Sequence, residues 1–271
     1  MALSGRRSRF VGWTTVDWGQ LQGELATSGA QVADLLRAFP SGSLPVPGLK
    51  WSVGELGAHL VSVPRRYGRM LETPEPFPES LSAVNDDDIR AVGSTDPQQL
   101  AESLVSEVAE LVRVLGDDGD RAVPFFGMGH TVQGMGGVML GELLLHGLDL
   151  ARPLRRPWPI RRDQAIAVTR GLLPSVSYSV DRKGAAKATG TYHVHLRGGD
   201  DWTIEVRDAR VDIERRRPTR ADLHVSAEPV AFLLVGYGRM SRWRALTLAR
   251  MIAWGRKPWL TVPFAKLFAE T

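Results

Sequence analysis

Two separated stretches of sequence decide the fold, and each predicts a helix. Residues 51–60 read WSVGELGAHL, and residues 141–150 read GELLLHGLDL. In the second stretch Glu142 and His146 stand four residues apart, and residues i and i+4 share one face of a helix. One carboxylate and one imidazole therefore point to the same place. His59 of the first stretch can join them from another helix, so that two distant helices supply one metal ion.

His59, Glu142 and His146 form a candidate metal-ligand set with room for a further ligand. Three protein ligands leave a coordination position open, which is typical of catalytic divalent-metal sites, whereas structural zinc sites are usually closed by four ligands. Ordinary alternatives remain for each residue. His59 on an apolar face suits a core histidine bonded to a backbone carbonyl, and Arg152 or another basic side chain could neutralise Glu142.

Composition places the chain among soluble globular proteins. Its 271 residues favour two domains, and 43% of them are hydrophobic and 24% charged. The chain has no cysteine, which excludes disulfides and thiolate ligands and means that thiol chemistry needs a small-molecule thiol. Residues 1–10 are basic without an apolar run behind them, and no stretch approaches about 18 consecutive apolar residues. We expect a cytoplasmic protein without membrane insertion.

The positive charge is small and arginine-rich. The net charge is +4 and the sequence pI is about 9.7. Clustered arginine suits phosphate, and therefore nucleic acid. Acidic residues are interleaved with the arginines, however, and no recognition motif accompanies them. We therefore expect small anionic molecules as partners and no nucleic acid.

Helical periodicity in the first half predicts a four-helix bundle. Ser52 as N-cap with Glu55 three residues later is a capping box, so the second helix begins near Ser52. Proline in the first turn indicates that the third helix opens at Asp96. The predicted helices cover residues 17–39, a stretch from 52, a stretch from 96 to Gly116, and a stretch following the glycine-rich approach 127–137; residues 72–88 are predicted as a loop.

The pattern changes to strands in the second half. Alternation predicts strands at 192–196 and 202–206 around a Gly-Gly-Asp-Asp turn, with further candidates at 209–214 and 221–226. Residues 162–174 predict a helix packed beside the bundle, and the tail 241–270 is predicted as mixed helix and loop. We predict an α+β fold with an N-terminal antiparallel four-helix bundle, residues 1–181, and a smaller domain with an antiparallel sheet, residues 182–271.

The order of these motifs resembles the mycothiol-dependent maleylpyruvate isomerase family. The two helical motifs carry the resemblance, followed by a strand-rich domain ending in residues 221–226, an apolar helix and Gly238-Arg239. The resemblance implies a DinB-like metal-binding bundle in which the positions of His59, Glu142 and His146 bind zinc. It also implies a C-terminal domain similar to sterol-carrier proteins. Loops 72–88 and 123–137 match no pattern of a maleylpyruvate site. The resemblance is therefore a better guide to metal binding than to the identity of the substrate.

The resemblance implies a metalloenzyme that uses mycothiol as cosubstrate. We expect thiol transfer or isomerisation of an electrophilic small molecule, by a monomer or homodimer. Two alternatives stay open. The same ligands suit a metal-dependent hydrolase, and the apolar C-terminal residues, including Trp243, Trp254 and Trp259, suit a non-enzymatic protein that binds a lipid or another small ligand.

Further side chains are candidates for roles around this site. Arg239 is a catalytic candidate because family members use a C-terminal-domain arginine near the active site. His130 is a candidate ligand or proton donor, with an exposed loop histidine as the alternative. Asp149 could accept the second ring N–H of His146, or it could face solvent and pair with Arg152.

Three histidines of the second half remain. His193 and His195 share one face of a predicted strand, and His224 lies further along the chain. Because no third partner is in view, we expect surface positions rather than a metal site.

Overall fold

The computed structural model describes residues 17–179 and 182–267. The basic residues 1–10 considered above lie outside these ranges. The chain divides into two compact units between Pro159 and Ile160. Among the described helices, none combines the length and apolar character needed to cross a bilayer.

Helices α1, α2, α4 and α5 form the bundle of the first unit, and α3 packs on α2. Its interior is built mainly from leucine, valine and methionine side chains of these four helices, as the apolar periodicity predicts. The elements are α1 (Trp18–Arg37), α2 (Val53–Glu72), α3 (Leu81–Val92), α4 (Pro97–Leu115), β1 (Ala122–Phe125), β2 (Met128–Thr131) and α5 (Val132–Ala151).

The predicted start of α2 is confirmed in atomic detail. The Ser52 hydroxyl accepts from the Glu55 backbone N–H at 3.3 Å, and the Glu55 carboxylate accepts from the Ser52 N–H at 2.8 Å. These bonds satisfy two of the N–H groups that a helix leaves unpaired at its first turn. The capping box therefore sets where α2 begins, and with it the place of His59 two turns later.

Gly54 lets α2 approach the loop before α4, and we predict that Gly54→Ala destabilises the bundle. An added Cβ would lie 2.6 Å from the Thr95 carbonyl oxygen and 2.7 Å from the Thr95 Cβ. Overpacking of this kind costs about 1–3 kcal/mol. Gly68 on the same helix has no atom within 4 Å of an added Cβ. Gly68→Ala should therefore stabilise by roughly 0.5–1 kcal/mol. Urea unfolding measures both, and equal effects would contradict the prediction.

Two regions of the first unit differ from the predictions. The predicted loop 72–88 contains most of α3. Four consecutive residues of this helix, Asn85 to Asp88, have low helix propensity, so the sequence favours a loop there. The predicted glycine-rich approach 127–137 contains strand β2 and the first turns of α5. A two-residue turn, Phe126-Gly127, joins β1 to β2 with φ of 49° and 68°. Phenylalanine is uncommon at positive φ, so the usual hairpin signal is weak.

The second unit is a five-stranded sheet with helices. The strand order is β5-β4-β3-β6-β7; the pair β3–β6 is parallel and the other pairs are antiparallel. The predicted α+β class is confirmed, and the parallel pair departs from the purely antiparallel sheet predicted. The elements are α6 (Arg162–Ser179), α7 (Arg182–Lys187), β3 (Gly190–Leu196), β4 (Asp201–Arg207), β5 (Arg210–Glu214), β6 (Leu223–Ala227), α8 (Pro229–Gly236), α9 (Arg242–Thr247), β7 (Met251–Gly255), a 3-10 turn (Pro258–Leu260) and α10 (Thr261–Lys266).

Alternation along β3 separates the two faces of this sheet. Tyr192, Val194 and Leu196 are fully buried on one face, and His193 and His195 lie on the other. Strand β7, which covers residues predicted as mixed helix and loop, forms one edge of the sheet. Its residues 251–254 are an apolar run without alternation, so no strand pattern reveals it, and most of them are exposed.

The unit boundary lies earlier than the predicted one at 181/182. Helix α6, predicted to pack beside the bundle, packs on α8 and β5 within the second unit. The Arg170 guanidinium of α6 pairs with Asp200 in the β3–β4 turn at 2.6 Å. The helix therefore belongs to the sheet that it covers, and sequence periodicity by itself does not say which partner a helix chooses.

Candidate metal centre

The structure brings His59, Glu142 and His146 together. His59 projects from α2, and Glu142 and His146 project from successive turns of α5. One ligand atom from each residue lies within 4.8 Å of the others. Among the described residues, no other group of three His, Asp or Glu side chains converges in this way. The convergence predicted from the sequence is therefore present.

The two separations between Glu142 and the histidines fit a shared cation. The Glu142 Oε2 atom lies 3.4 Å from Nε2 of His59 and 3.4 Å from Nε2 of His146. A good N–H···O bond is shorter, about 2.9–3.0 Å. Ligands held at about 2.1 Å in a tetrahedral zinc site lie roughly 3.4 Å apart. The observed separations match the second arrangement.

Asp149 determines the protonation pattern of His146. Its Oδ2 lies 3.1 Å from Nδ1 of His146, and Asp149 is only 3% exposed. The alternative of a solvent-facing carboxylate is therefore wrong. A neutral His146 donates its Nδ1–H to Asp149, so the lone pair on Nε2 faces the Glu142 carboxylate. Two acceptors facing each other need a cation between them, either a proton or a metal ion.

The electrostatics of the three groups differ. Burial lowers the pKa of His59 below 6.5, although the neighbouring Glu142 opposes this. Burial alone would also lower the pKa of His146, but its bonds to Asp149 and Glu142 outweigh this and raise it. For Glu142, burial is outweighed by the two imidazoles, which hold the carboxyl pKa well below its usual range. Glu142 is therefore ionised and available as a ligand at neutral pH.

Two tryptophan rings pack on the helices that carry the three side chains. The Trp51 ring packs on the His59 imidazole with ring centroids 4.7 Å apart. The Trp158 indole donates to the Leu144 carbonyl at 2.8 Å, and its ring lies 2.1 Å from where a Cβ on Gly147 would be. The glycine after His146 in the motif is thus required by the close approach of Trp158. No pattern in the sequence predicts either of these tryptophan contacts.

We predict that Asp149→Asn weakens metal binding without unfolding the bundle. The amide retains an acceptor for Nδ1–H but loses the negative charge that makes His146 a stronger ligand. Loss of such a partner typically costs about 10–100-fold in metal affinity. Competition with a chromogenic chelator measures the effect. Asp34→Asn on α1, an exposed carboxylate, is the matched control, and equal affinities of the two variants would refute the prediction.

We also predict that metal affinity decreases in two steps as the pH is lowered, because only neutral imidazole binds a metal. The raised pKa of His146 makes this histidine the first to be protonated as the pH falls. Below that pKa the affinity should fall about tenfold per pH unit. His59, whose pKa is lowered, adds a second dependence only at lower pH. Calorimetric metal titrations from about pH 8 to about pH 5 test this, and a constant affinity would contradict it.

The two candidate catalytic residues lie away from the triad or in the other unit. His130 is on β2 and is 5% exposed, so the alternative of an exposed loop histidine is wrong. Its ring lies against Gly134, eight residues before Glu142 and thus roughly 12 Å along α5. Arg239 follows α8 in the second unit, where its Nη1 donates to the Tyr237 carbonyl at 2.8 Å. Catalytic roles for His130 and Arg239 stay predictions.

The remaining histidines are joined by an acidic partner that the sequence did not reveal. His193 is buried, and its Nε2 lies 2.6 Å from Oδ1 of Asp201. The same oxygen lies 2.9 Å from Nδ1 of His195, and Nδ1 of His193 lies 3.0 Å from Nδ1 of His224. The expectation of surface positions is therefore wrong for His193. Antiparallel register places Asp201 opposite His195, which only the pairing of β3 with β4 decides.

Comparisons with known proteins agree with this fold. Residues 25–151 match the family model of the mycothiol maleylpyruvate isomerase N-terminal domain. No curated protein sequence matches the chain. Among solved structures, a mycothiol-dependent maleylpyruvate isomerase is 13% identical, with 85% of this chain and 92% of that chain covered and a TM-score of 0.52. A mutant of that enzyme is 13% identical over 84% and 92% of the two chains, with a TM-score of 0.51.

A sterol carrier protein 2-like protein from Aedes aegypti is 16% identical over 34% of this chain and 85% of that chain, with a TM-score of 0.29. The isomerase structures share the fold of this chain, and the family model covers the helices that hold all three converging side chains. The N-terminal bundle of this protein, over residues 25–151, therefore belongs to the mycothiol maleylpyruvate isomerase N-terminal domain family.

Proposed function

We propose that the protein is a metal-dependent thiol transferase or isomerase acting on an electrophilic small molecule. Mycothiol is the proposed thiol cosubstrate, and zinc is the proposed metal. The observation that carries the proposal is the convergence of His59, Glu142 and His146. Membership of the bundle in the isomerase domain family supports the thiol-dependent chemistry.

The donor set suits a catalytic zinc ion. Two imidazoles and one carboxylate are a common catalytic zinc set, and such a set leaves one position for a water or substrate. A divalent metal held there would lower the pKa of a thiol, so that the nucleophilic thiolate forms at neutral pH. The chain contains no cysteine, so the thiol comes from a small molecule.

The side chains around the ligands keep the site ordered. Asp149 fixes the tautomer of His146 by accepting its Nδ1–H, and Trp51 covers one face of the His59 ring. In an isomerisation, the thiolate forms a C–S bond with an activated double bond, and the electron pair of the double bond moves to the conjugated carbonyl. Rotation about the resulting single bond follows. Breaking the C–S bond then restores the double bond and releases the thiolate unchanged.

Hydrolysis is the second candidate function, because the same ligand set occurs in zinc hydrolases, with water in the open position. The two functions are distinguished by the cosubstrate that they need. Cobalt-loaded protein, titrated with mycothiol and followed by visible spectroscopy, reports whether the thiol reaches the metal centre. Hydrolysis of activated esters by the zinc-loaded protein reports water chemistry.

A spectral change that saturates with mycothiol, together with thiol-dependent turnover, is the expected result. His146→Ala is the matched control and should show neither. Ester hydrolysis without any response to thiol would replace the proposal with the hydrolase. If the metal-loaded protein neither responds to mycothiol nor hydrolyses esters, the proposed enzymatic role is overturned. The alternative of a non-enzymatic binding protein would then remain.

A further inference from the structure

Exposed apolar side chains are concentrated in one segment of the second unit. Among the described residues, ten large hydrophobic side chains are exposed, and seven of them lie between residues 243 and 262. They are Trp243, Leu246, Leu248, Ile252, Trp254, Trp259 and Val262. Single exposed apolar residues are ordinary on soluble proteins, but a contiguous group usually marks an interaction site. We call residues 243–262 the exposed segment.

The exposed segment is continuous in space as well as in sequence. Helix α9 contacts β7, β7 contacts the 3-10 turn, and that turn contacts α10. Within β7, Ile252 and Trp254 stand two residues apart and so project from the same face of the edge strand. Trp254 packs on His224 with ring centroids 5.5 Å apart and is still half exposed. Trp243 and Trp259 are 79% and 67% exposed, so these rings are not core residues.

The charged residues within and beside the exposed segment in sequence are basic. Residues 229–269 contain seven Lys and Arg residues and no Asp or Glu, in a chain whose net charge is only +4. Arg256 and Lys257 pair with Asp222, at 4.0 Å and 3.2 Å. Among the described residues, Arg242, Arg244 and Arg250 are exposed and have no ion-pair partner. The surface is therefore both apolar and basic.

We propose that the exposed segment binds the surface of a bilayer that contains anionic lipid. Tryptophan is enriched at the level of lipid headgroups, where its apolar ring and its N–H are both satisfied. Apolar side chains enter the outer acyl region, and arginine is attracted to anionic headgroups. This is peripheral adsorption and needs no spanning helix. It does not depend on the function of the metal centre, which lies in the other unit.

The aliphatic side chains favour a bilayer over nucleic acid. Single-stranded nucleic acid binds basic grooves whose aromatic rings stack on bases. Leu246, Leu248 and Ile252 have no such partner in nucleic acid, but each gains free energy on entering lipid. The combination of exposed aliphatic, aromatic and arginine side chains is typical of interfacial membrane binding.

Vesicle sedimentation of the full chain tests the proposal. We expect binding to phosphatidylcholine vesicles that contain phosphatidylglycerol, weak binding to phosphatidylcholine alone, and loss of binding as salt increases. Trp243→Ala and Trp259→Ala should each weaken binding roughly tenfold, from the apolar area that each ring buries. Neutralising Arg242 with R242Q should weaken it roughly fivefold. Leu81→Ala, which removes an exposed apolar side chain of the first unit, should leave binding unchanged.

Three outcomes would overturn the proposal. The first is equal affinity for neutral and anionic vesicles, or no binding to either. The second is that the protein binds a single-stranded oligonucleotide and not vesicles, and that the same tryptophan variants weaken this binding. The third is that the protein forms a concentration-dependent dimer, that Trp243→Ala dissociates this dimer, and that the monomer does not bind vesicles. This result would show that a second copy of the chain covers the exposed segment.

Discussion

His59→Ala and His146→Ala are each expected to abolish stoichiometric metal binding. Each substitution leaves two ligands where three converge within 4.8 Å in the native protein. Loss of an outer partner already costs about 10–100-fold in metal affinity, so loss of a direct ligand should cost more than roughly 100-fold. Elemental analysis of the purified variants measures the stoichiometry, and chelator competition measures the affinity.

His195→Ala is the control for these variants. His195 also contacts a carboxylate, through Nδ1 to Asp201 at 2.9 Å, but it is 41% exposed and lies in the second unit. It should retain the metal content of the native protein. Circular dichroism checks that every variant is folded. Retention of one metal per chain in folded His59→Ala or His146→Ala would refute the proposed metal centre.

Removal of the metal is expected to abolish thiol-dependent turnover. Lewis-acid and nucleophile-activating roles of a metal contribute several kcal/mol to a barrier. Since each 1.36 kcal/mol is about tenfold in rate, exhaustive chelation should slow mycothiol-dependent turnover by at least roughly 100-fold. Assays with mycothiol and activated alkenoic acids, maleylpyruvate among them, measure this, and added zinc should restore the activity.

The chelation experiment needs a control for unfolding, because the apo site brings a carboxylate and two buried imidazoles together. The thermal transition of the apo protein, compared with that of the reloaded protein, provides it. A folded apo protein without activity supports the proposal. Full activity after exhaustive chelation would refute metal-dependent catalysis and leave the fold assignment intact.

The sequence alone identified the features that depend on near neighbours along the chain. The i, i+4 spacing of Glu142 and His146 places both on one face of α5, because helix geometry fixes which residues are adjacent. The capping box at Ser52 and Glu55 marked the start of α2 for the same reason. Family resemblance then indicated that His59 joins the pair. The spacing of Glu142 and His146 and the capping box involve contacts that one turn of helix already determines.

Features that depend on packing between elements were predicted less well. Asp149 had two interpretations until its burial and its contact with His146 were known. Helix α6 was assigned to the wrong neighbour, since its amphipathic pattern fits any apolar surface. Helix α3 was missed for a local reason, because residues 85–88 have low helix propensity. For α6 the deciding quantity is the free energy of burial against a partner that is distant in sequence. For Asp149 it is the packing around α5 that removes the carboxylate from water.

The sequence by itself determined the candidate ligand types, their helical spacing and the α+β class, because these follow from local geometry and residue chemistry. Only the tertiary structure decided that His59 reaches Glu142 at 3.4 Å, that Asp201 joins His193 to His195, and that Trp243 and Trp259 lie in solvent. Distances and exposure depend on how helices and strands from remote parts of the chain pack. No local pattern encodes that packing, because many arrangements bury the same apolar stripes equally well.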